Sequence, residues 1–272
     1  DALPIFSVRL FQRTTRSLTP TEQGKAFYSG ASEILEAVES AEAQVVNITD
    51  NPKGSLYVAA PLGVGRRLIA PLVPGFLAEY PEVKMRLRLT DRKVDLTTEG
   101  LDLGFFLGQP EDSNLRIRKI ADVERILCAS PTYIAAHGNP ASGEDLMNGG
   151  HQCLNLRFPG ATEFQWRLKT ADGPKRFPVS GRYESDDGDV LTDWALAGHG
   201  VVMKPIFEVA EHVKVGRLVQ VALQTPPEPI QMACLFTHRR LQDPKTRLFM
   251  EYVIARISEA VRDSSLQAQL PR

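Results

Sequence analysis

The sequence predicts an α/β protein in which a long amino-terminal helix precedes two lobes, each built on a helix-covered sheet. Apolar residues recur at heptad spacing near the amino terminus. From Ser55 onward, strand patterns alternate with helix patterns over short turns, which is the order of parallel, helix-covered sheets. A last apolar strand pattern at residues 232–236 would return the chain to the first lobe.

The composition fits a folded protein of one large domain or two modest ones. The chain has 272 residues, of which 43% are hydrophobic and 24% are charged. Its net charge of -1 argues against a generally basic nucleic-acid binder, so any DNA contact should come from a local patch. No apolar run approaches the ~18 residues of a membrane span. The first residues also lack a signal-peptide pattern, so we expect a cytoplasmic protein.

The amino-terminal helix carries a seam of apolar residues. Thr19 or Thr21 can cap its start, and Pro20 and Glu22 suit a first turn. The seam residues follow spacings of 4, 3, 4, 3, 4 and 3: Phe27, Ala31, Ile34, Val38, Ala41, Val45 and Ile48. A helix from Pro20 to Asn47 would be ~42 Å long, which favours pairing with a second chain. The alternative is that this helix packs against its own chain.

The remaining elements follow from apolar periodicity and from turn residues. Strand patterns cover residues 55–60, 83–89, 101–107, 125–129, 199–203 and 232–236. Helix patterns cover residues 66–80, 91–99, 132–137, 189–197 and 246–260. Within residues 66–80, Pro71 and Pro74 predict one helix start and one kink or restart. Ser130 and Pro131 form a cap and a first-turn proline for the helix at residues 132–137.

Enzyme and metal chemistry find little support. The histidines are scattered, and His151 and Cys153 lack a third metal ligand nearby. Cys128, Cys153 and Cys234 show no CxxC spacing and are expected to be buried and reduced. No nucleophile elbow or phosphate loop is present, and Gly63-Val-Gly65 lacks the third glycine of a dinucleotide turn. We therefore expect no catalytic residue, no metal and no cofactor.

The joints that follow strands of the first lobe predict a ligand crevice. Pro61–Gly65 follows the first strand, Thr90-Asp91 follows the second, and Leu107-Gly108 closes the third. In an open α/β sheet, ligands bind beyond the carboxyl ends of the strands. Each glycine alone could serve an ordinary turn, but three such joints at one edge favour a crevice.

Several ordered segments resemble the LysR-type transcriptional regulators. Arg9–Arg16, followed by Leu18-Thr19 and Glu22–Gly24, is similar to the wing of their winged helix-turn-helix and its entry into the linker helix. Ala60–Pro81 is similar to the opening of their effector domain. Further matching segments are Val94–Leu103, Cys128–Tyr133 and Gly188–Pro205. The resemblance runs from about Val8 to Ser258.

The resemblance implies a domain order. Residues 1–24 would be the remnant of the winged helix-turn-helix, residues 25–53 the linker helix, and residues 54–260 a two-lobed effector domain like periplasmic binding proteins. Lobe I would comprise about 54–124 and 230–260, lobe II about 125–229, and residues 261–272 a polar tail. Only seven residues precede the wing, so we expect a truncated regulator without its recognition helix.

The resemblance also implies binding residues. The wing would contact DNA phosphates through Arg13, Thr14, Thr15 and Arg16. The effector cleft would be lined by Pro61, Leu62, Gly63, Val64, Gly65, Thr90, Asp91, Phe106, Gly108, Ser185, Asp186, Asp187, Gly200, Lys204 and Pro205. Many relatives have a hydroxyl at the position of Gly63 and an arginine at that of Phe106. We therefore expect an aromatic or weakly charged effector rather than a compact carboxylate.

The function predicted by these features is ligand-controlled transcription. A small molecule would bind the effector domain of a homodimer or homotetramer and change its geometry, with DNA binding weakened by the truncation. The alternative is a solute-binding protein of a transport system, which the two-lobed architecture allows. The absent signal peptide and the heptad seam weigh against that alternative.

Overall fold

The computed structural model describes residues 10–13, 18–24, 26–28, 30–31, 34, 52–92, 94–108, 115–157, 165–237 and 243–269. Of residues 12–13, 18–20 and 264–269, only the backbone is described. The chain divides into two compact units, residues 1–51 and residues 52–272.

The amino-terminal unit contains a hairpin and the start of a helix. Strands β1 (Phe11–Arg13) and β2 (Leu18–Pro20) pair antiparallel, as the wing of the resemblance requires. Thr21 Oγ1 accepts the N–H of Gly24 at 3.0 Å, so Thr21, and not Thr19, caps the helix. Pro20 therefore belongs to a strand and not to the first helical turn.

The seam of this helix is only partly within the described residues. Residues 22–24, 26–28, 30, 31 and 34 are helical, which includes Phe27, Ala31 and Ile34. The seam positions Val38, Ala41, Val45 and Ile48 lie outside the described residues, as do Thr14, Thr15 and Arg16 of the proposed wing contact.

The second unit contains a first five-stranded sheet, sheet 1. The strands are β3 (Gly54–Ala60), β4 (Val83–Leu89), β5 (Leu103–Gly108), β6 (Arg116–Val123) and β14 (Ile230–Phe236). Their order in the sheet is β4-β3-β5-β14-β6. β3 is parallel to β4 and β5, whereas β14 is antiparallel to β5 and β6. The chain thus returns to the first sheet through β14, as the apolar pattern at residues 232–236 predicts.

The connection from β3 to β4 is helical but changes type at its prolines. It begins at Leu62, earlier than predicted, as α1 (Leu62–Val64) and continues as a π-helical turn (Gly65–Ile69). A 3₁₀ turn (Ala70–Leu72) contains Pro71, and α2 (Val73–Glu79) contains Pro74 near its start. Each proline stands at the beginning of a new segment, where its missing N–H costs no helical hydrogen bond.

The helix predicted at residues 91–99 is wrong. This segment forms turns, in which Asp95 Oδ1 accepts the N–H groups of Thr97 at 2.8 Å and Thr98 at 3.0 Å. A short acidic side chain that bonds nearby backbone N–H groups offers the chain an alternative to helix. The turns close where the N–H of Leu101 reaches the carbonyl of Leu96 at 2.9 Å.

A second five-stranded sheet, sheet 2, has the order β11-β8-β12-β7-β13. The strands are β7 (Arg125–Ala129), β8 (Cys153–Leu156), β11 (Glu184–Ser185), β12 (Val201–Pro205) and β13 (Val219–Val221). β8 is parallel to β11 and β12, and β7 is antiparallel to β12 and β13. A separate hairpin of β9 (Gln165–Thr170) and β10 (Gly173–Pro178) covers part of one face of sheet 2.

Among the described residues, five more helices pack on these sheets. They are α3 (Pro131–His137), α4 (Gly143–Asn148), α5 (Gly188–Leu196), α6 (Ile206–Lys214) and α7 (Pro244–Gln269). Ser130 caps α3 by accepting the N–H of Tyr133, which confirms the predicted cap. Helix α7 extends beyond the predicted end at residue 260, because Val261 remains buried in the core beneath sheet 1.

We call sheet 1 with α1, α2 and α7 lobe 1, and sheet 2 with α3 to α6 lobe 2. Each lobe has its own buried core, around Phe76 and Phe249 in lobe 1 and around Leu127 and Leu191 in lobe 2. Helix α6 packs against α7, and its Phe207 contacts the core of lobe 1. The two-lobed α/β architecture confirms the predicted fold class.

Candidate functional site

A cleft of about 210 Å³ lies where strands of both lobes end. Residues at or just after the ends of β3, β4, β8 and β11 meet there: Leu62, Leu89, Thr90, Asp91, Arg92, Arg157, Asp186 and Asp187. This placement follows from the parallel strands, whose carboxyl ends share one edge of each sheet.

The lobe 1 wall is built around Asp91. Its Oδ1 accepts the N–H of Leu62 at 3.0 Å and so ties the end of β4 to the start of α1. Thr90 Oγ1 accepts the N–H of Arg92 at 3.2 Å. Burial raises the pKa of Asp91, and the nearby negative charge of Glu208 adds to that rise. The N–H of Leu62 therefore already has a partner within the chain.

The lobe 2 wall is held by hydrogen bonds between side chains and backbone N–H groups two residues further along the chain. Ser185 Oγ accepts the N–H of Asp187 at 3.0 Å, and Asp187 Oδ1 accepts the N–H of Asp189 at 2.8 Å. The second bond caps α5. Arg157 Nε donates to Glu184 Oε2 at 2.7 Å, so this cation of the cleft already has an anionic partner.

Two arginines of lobe 1 reach across to lobe 2. Arg66 Nη1 lies 2.7 Å from Asp189 Oδ2, and Arg67 Nη2 lies 2.7 Å from Asp189 Oδ1. Arg66 also approaches Asp187 at 3.8 Å. Although burial by itself raises the pKa of Asp189, the hydrogen bonds from Arg67 and Arg66 together lower it. The hydrogen bond to Asp189 likewise raises the pKa of Arg66.

A buried ion pair lies behind this bridge. Lys204 and Glu208 form the pair, with side chains that are only 5% and 9% exposed. Lys204 Nζ also donates to the carbonyl of Gly188 at 3.0 Å. Lys204 is the penultimate residue of β12 and Glu208 follows four residues later on α6, so the tight connection between strand and helix brings them together.

The structure brings many of the sequence-predicted cleft residues together. Leu62, Thr90, Asp91, Asp186 and Asp187 line the cleft. Pro61, Gly63, Val64, Gly65 and Ser185 stand beside them in the same joints, and Lys204 and Pro205 end β12 at the side of Gly188.

Three predicted residues are not among those that line the cleft. Phe106 and Gly108 are at the end of β5, where the ring of Phe106 lies against Gly108. Gly200 precedes β12 and lies against the carbonyl of Gln152. It is thus at the start of that strand, whereas Lys204 and Pro205 are at its end.

The residues that sequence reasoning missed are mostly charged. Leu89 and Arg92 adjoin predicted positions, and Arg157 follows a strand that the pattern did not reveal. The ion-pair partners of Arg66, Arg67 and Asp189 are far away in sequence. Glu208 differs, because its partner Lys204 is only four residues away. That spacing is the one local signal that could have indicated a pair.

In the part of the chain that the structure describes, we find no metal-binding cluster and no reactive thiol. Within it, no group of three or more His, Cys, Asp or Glu side chains could hold a metal ion. Cys128, Cys153 and Cys234 are buried and free, as predicted. Burial raises the pKa of Cys128 and of Cys153 to about 12, which disfavours their reactive thiolates. No helix among the described residues could span a bilayer.

Comparisons with known proteins agree with this architecture. Residues 49–258 match the family model of the LysR substrate binding domain. The HTH-type transcriptional regulator DmlR of Escherichia coli (strain K12) is 33% identical over 261 residues, which cover 96% of this chain and 84% of that protein. The HTH-type transcriptional regulator CrgA of Neisseria meningitidis serogroup B is 29% identical over 248 residues, or 91% of this chain and 82% of that protein.

Solved structures give the same result. A structure of CrgA from Neisseria meningitidis, a LysR-type transcriptional regulator, matches with a TM-score of 0.68 and 29% identity over 92% of this chain and 84% of that one. The full-length virulence activator AphB of Vibrio cholerae matches with a TM-score of 0.65 and 30% identity over the same shares. These relatives confirm the predicted regulator over the transport alternative. The chain belongs to the family of LysR-type transcriptional regulators.

Proposed function

We propose that this regulator senses a small molecule in the cleft between its lobes. The observation that carries the proposal is the cleft itself, because walls from both lobes meet there at strand ends and the Arg66/Arg67–Asp189 bridge joins the lobes beside it. A ligand that contacts Thr90 and Asp91 on one side and Asp186 on the other would favour one angle between the lobes. The change of angle would alter the spacing of the linker helices.

The remaining parts of the proposal concern domains and partners. Residues 1–24 would form the wing and residues 25–53 the linker helix, with the effector domain after them. Pairing through the seam is supported by the exposure of Phe27, which is 45% exposed, and Ile34, which is 67% exposed, since large apolar side chains at heptad spacing favour a helical partner. The seam would build a homodimer or homotetramer.

Contacts with DNA would come from Arg13, Thr14, Thr15 and Arg16 against phosphates. The protein would act in the cytoplasm, because its target is the DNA there. It would catalyse no reaction, since a regulator needs only binding and a change of shape, and this is supported by the relatives, which are named as transcriptional regulators.

A thermal-shift screen tests the cleft. Aromatic acids, phenols, amines and dicarboxylates are added to the purified chain, and the midpoint of unfolding is measured. A true cleft ligand should stabilise the wild type but lose its effect in Thr90→Val, which removes a hydroxyl group from the lobe 1 wall, and in Asp186→Asn, which removes a negative charge from the lobe 2 wall. The matched controls are Thr97→Val and Asp172→Asn, which change exposed residues in turns away from the cleft. A ligand that stabilises all four variants equally would place the sensor site elsewhere.

A further inference from the structure

The carboxylate of Glu208 occupies the space beside the α-carbon of Gly63. A Cβ atom added to Gly63 would lie 2.1 Å from Glu208 Oε1 and 2.8 Å from its Cδ. Gly63 belongs to the joint after β3 in lobe 1, whereas Glu208 belongs to α6 in lobe 2. Glycine at position 63 therefore allows a carboxylate of the opposite lobe to enter the joint where a ligand is expected to bind.

Lys204 holds this carboxylate in place. Its ammonium group is buried and contacts Glu208 and the carbonyl of Gly188. A Cβ atom on Gly188 would lie 2.7 Å from Lys204 Nζ, so a second glycine leaves room for the pair. A buried ammonium group is costly without an anion beside it, and Glu208 supplies that anion from within the chain.

The surroundings of the pair disfavour a second anion. Asp91 is close enough for Glu208 to perturb its titration, and Asp187 lies on the facing wall. Arg66 and Arg67 are bound to Asp189, and Arg157 is bound to Glu184. A carboxylate ligand beside the pair would thus meet the carboxylates of Asp91 and Asp187, which costs electrostatic free energy, and the three arginines just named already have anionic partners. The cation of the cleft lining for which no anionic partner is described is Arg92.

We propose that Glu208 is a built-in occupant of the anion subsite of this cleft, so that the effector is an uncharged or cationic small molecule without a carboxylate. The inference rests on the proposed function, because it names the ligand class of the same cleft. It predicts that removing the Glu208 side chain beyond Cβ turns the subsite into a receptor for an external carboxylate.

Acetate is the probe, because it has the same atoms as the part of the side chain that Glu208→Ala removes. Sodium acetate should raise the midpoint of thermal unfolding of Glu208→Ala by about 4 °C or more, relative to sodium chloride at equal ionic strength. The wild type and the control Glu211→Ala, which changes an exposed glutamate of the same helix, should not respond. The double variant Glu208→Ala with Lys204→Met should also fail to respond, because it lacks the cation.

A second measurement covers the case in which Glu208→Ala does not purify in a folded state, since it leaves a buried lysine without its partner. The unfolded variant is then refolded in acetate and in chloride. Greater recovery in acetate supports the inference, and equal recovery overturns it. An equal response of the wild type to acetate, or a response that survives Lys204→Met, would also overturn it.

This experiment is separate from the test of the proposed function. The acetate response needs only the pocket that Glu208 leaves, whereas the screen needs a ligand that depends on Thr90 and Asp186. A cleft ligand found together with no acetate response in Glu208→Ala would refute the subsite alone. An acetate response without any Thr90-dependent ligand would instead refute the sensor cleft and leave the subsite in place.

Discussion

At the residue scale, Asp189 joins the two lobes by ion pairs. The Asp189 carboxylate binds two arginines of lobe 1, and the backbone N–H of Asp189 donates to the Asp187 side chain. Charged hydrogen bonds of this kind fix geometry because both oxygens have a defined partner. A substitution of Asp189 therefore tests this bridge without changing a residue of either core.

We expect Asp189→Asn to lower the free energy of unfolding by ~1 kcal/mol at neutral pH, a value reduced for the partial exposure of the arginines. Because the pKa of Asp189 is lower in the folded state, its contribution is complete above the unfolded value of about 3.9 and is lost as the pH falls through the folded value. Urea unfolding over a series of pH values below 7 should show the full wild-type advantage at pH 7 and a decline that begins only below about pH 3.9. The control is Asp193→Asn, on the same helix and exposed; equal losses in both variants would contradict the role of the bridge.

At the scale of elements, the amino-terminal helix carries the first residues of the apolar seam, and the side chains of Phe27 and Ile34 are 45% and 67% exposed. The helix is capped by Thr21 and follows directly on the β1–β2 hairpin. A helix with one apolar seam gains most of its stability from packing and not from intrinsic propensity. The seam is thus expected to require a partner.

Replacing Ile34 and Val38 together by glutamate should convert the oligomer to a smaller species, because two charges would be buried in the helical interface. Sedimentation velocity at micromolar concentration measures the change. The matched control replaces Glu33 and Glu39, which are off the seam, by glutamine. If the glutamate variant and the control sediment like the wild type, the seam is not the main interface.

At the scale of the whole molecule, the chain combines a near-neutral sensor with a small basic hairpin region. Its net charge is -1, so attraction to DNA must be local. We expect these 272 residues to bind DNA weakly, without sequence preference, and with strong dependence on salt, since Arg13 and Arg16 are expected to contact phosphates.

Replacing Arg13 and Arg16 by alanine should reduce the slope of log affinity against log salt by about 2 for each bound chain. Fluorescence anisotropy with a labelled duplex, measured over a series of salt concentrations, gives the slope. Arg262→Ala, at an exposed position on α7, is the control and should leave it unchanged. A preferred site that survives 200 mM salt in the wild type would contradict the phosphate-only mode.

Local patterns were sufficient for most elements of the first lobe. The strand at residues 83–89 alternates apolar and basic residues and is observed with those bounds, because one of its faces is buried. Ser130 and Pro131 likewise placed the start of α3. The helix predicted at residues 91–99 is wrong because the hydrogen bonds of Asp95 to nearby N–H groups outweigh a weak helical pattern. Short strands such as β11 carry too few residues for a pattern to be visible.

The sequence by itself determined the family, the α/β class and the joints at which the cleft forms, because these depend on periodicity, turn residues and ordered motifs. Only the tertiary structure decided how the cleft is charged. Arg66 and Asp189 are 123 residues apart, and Gly63 and Glu208 lie on different lobes. No local pattern encodes such pairs, since electrostatic contacts depend on distance in space, which the packing of the two lobes sets.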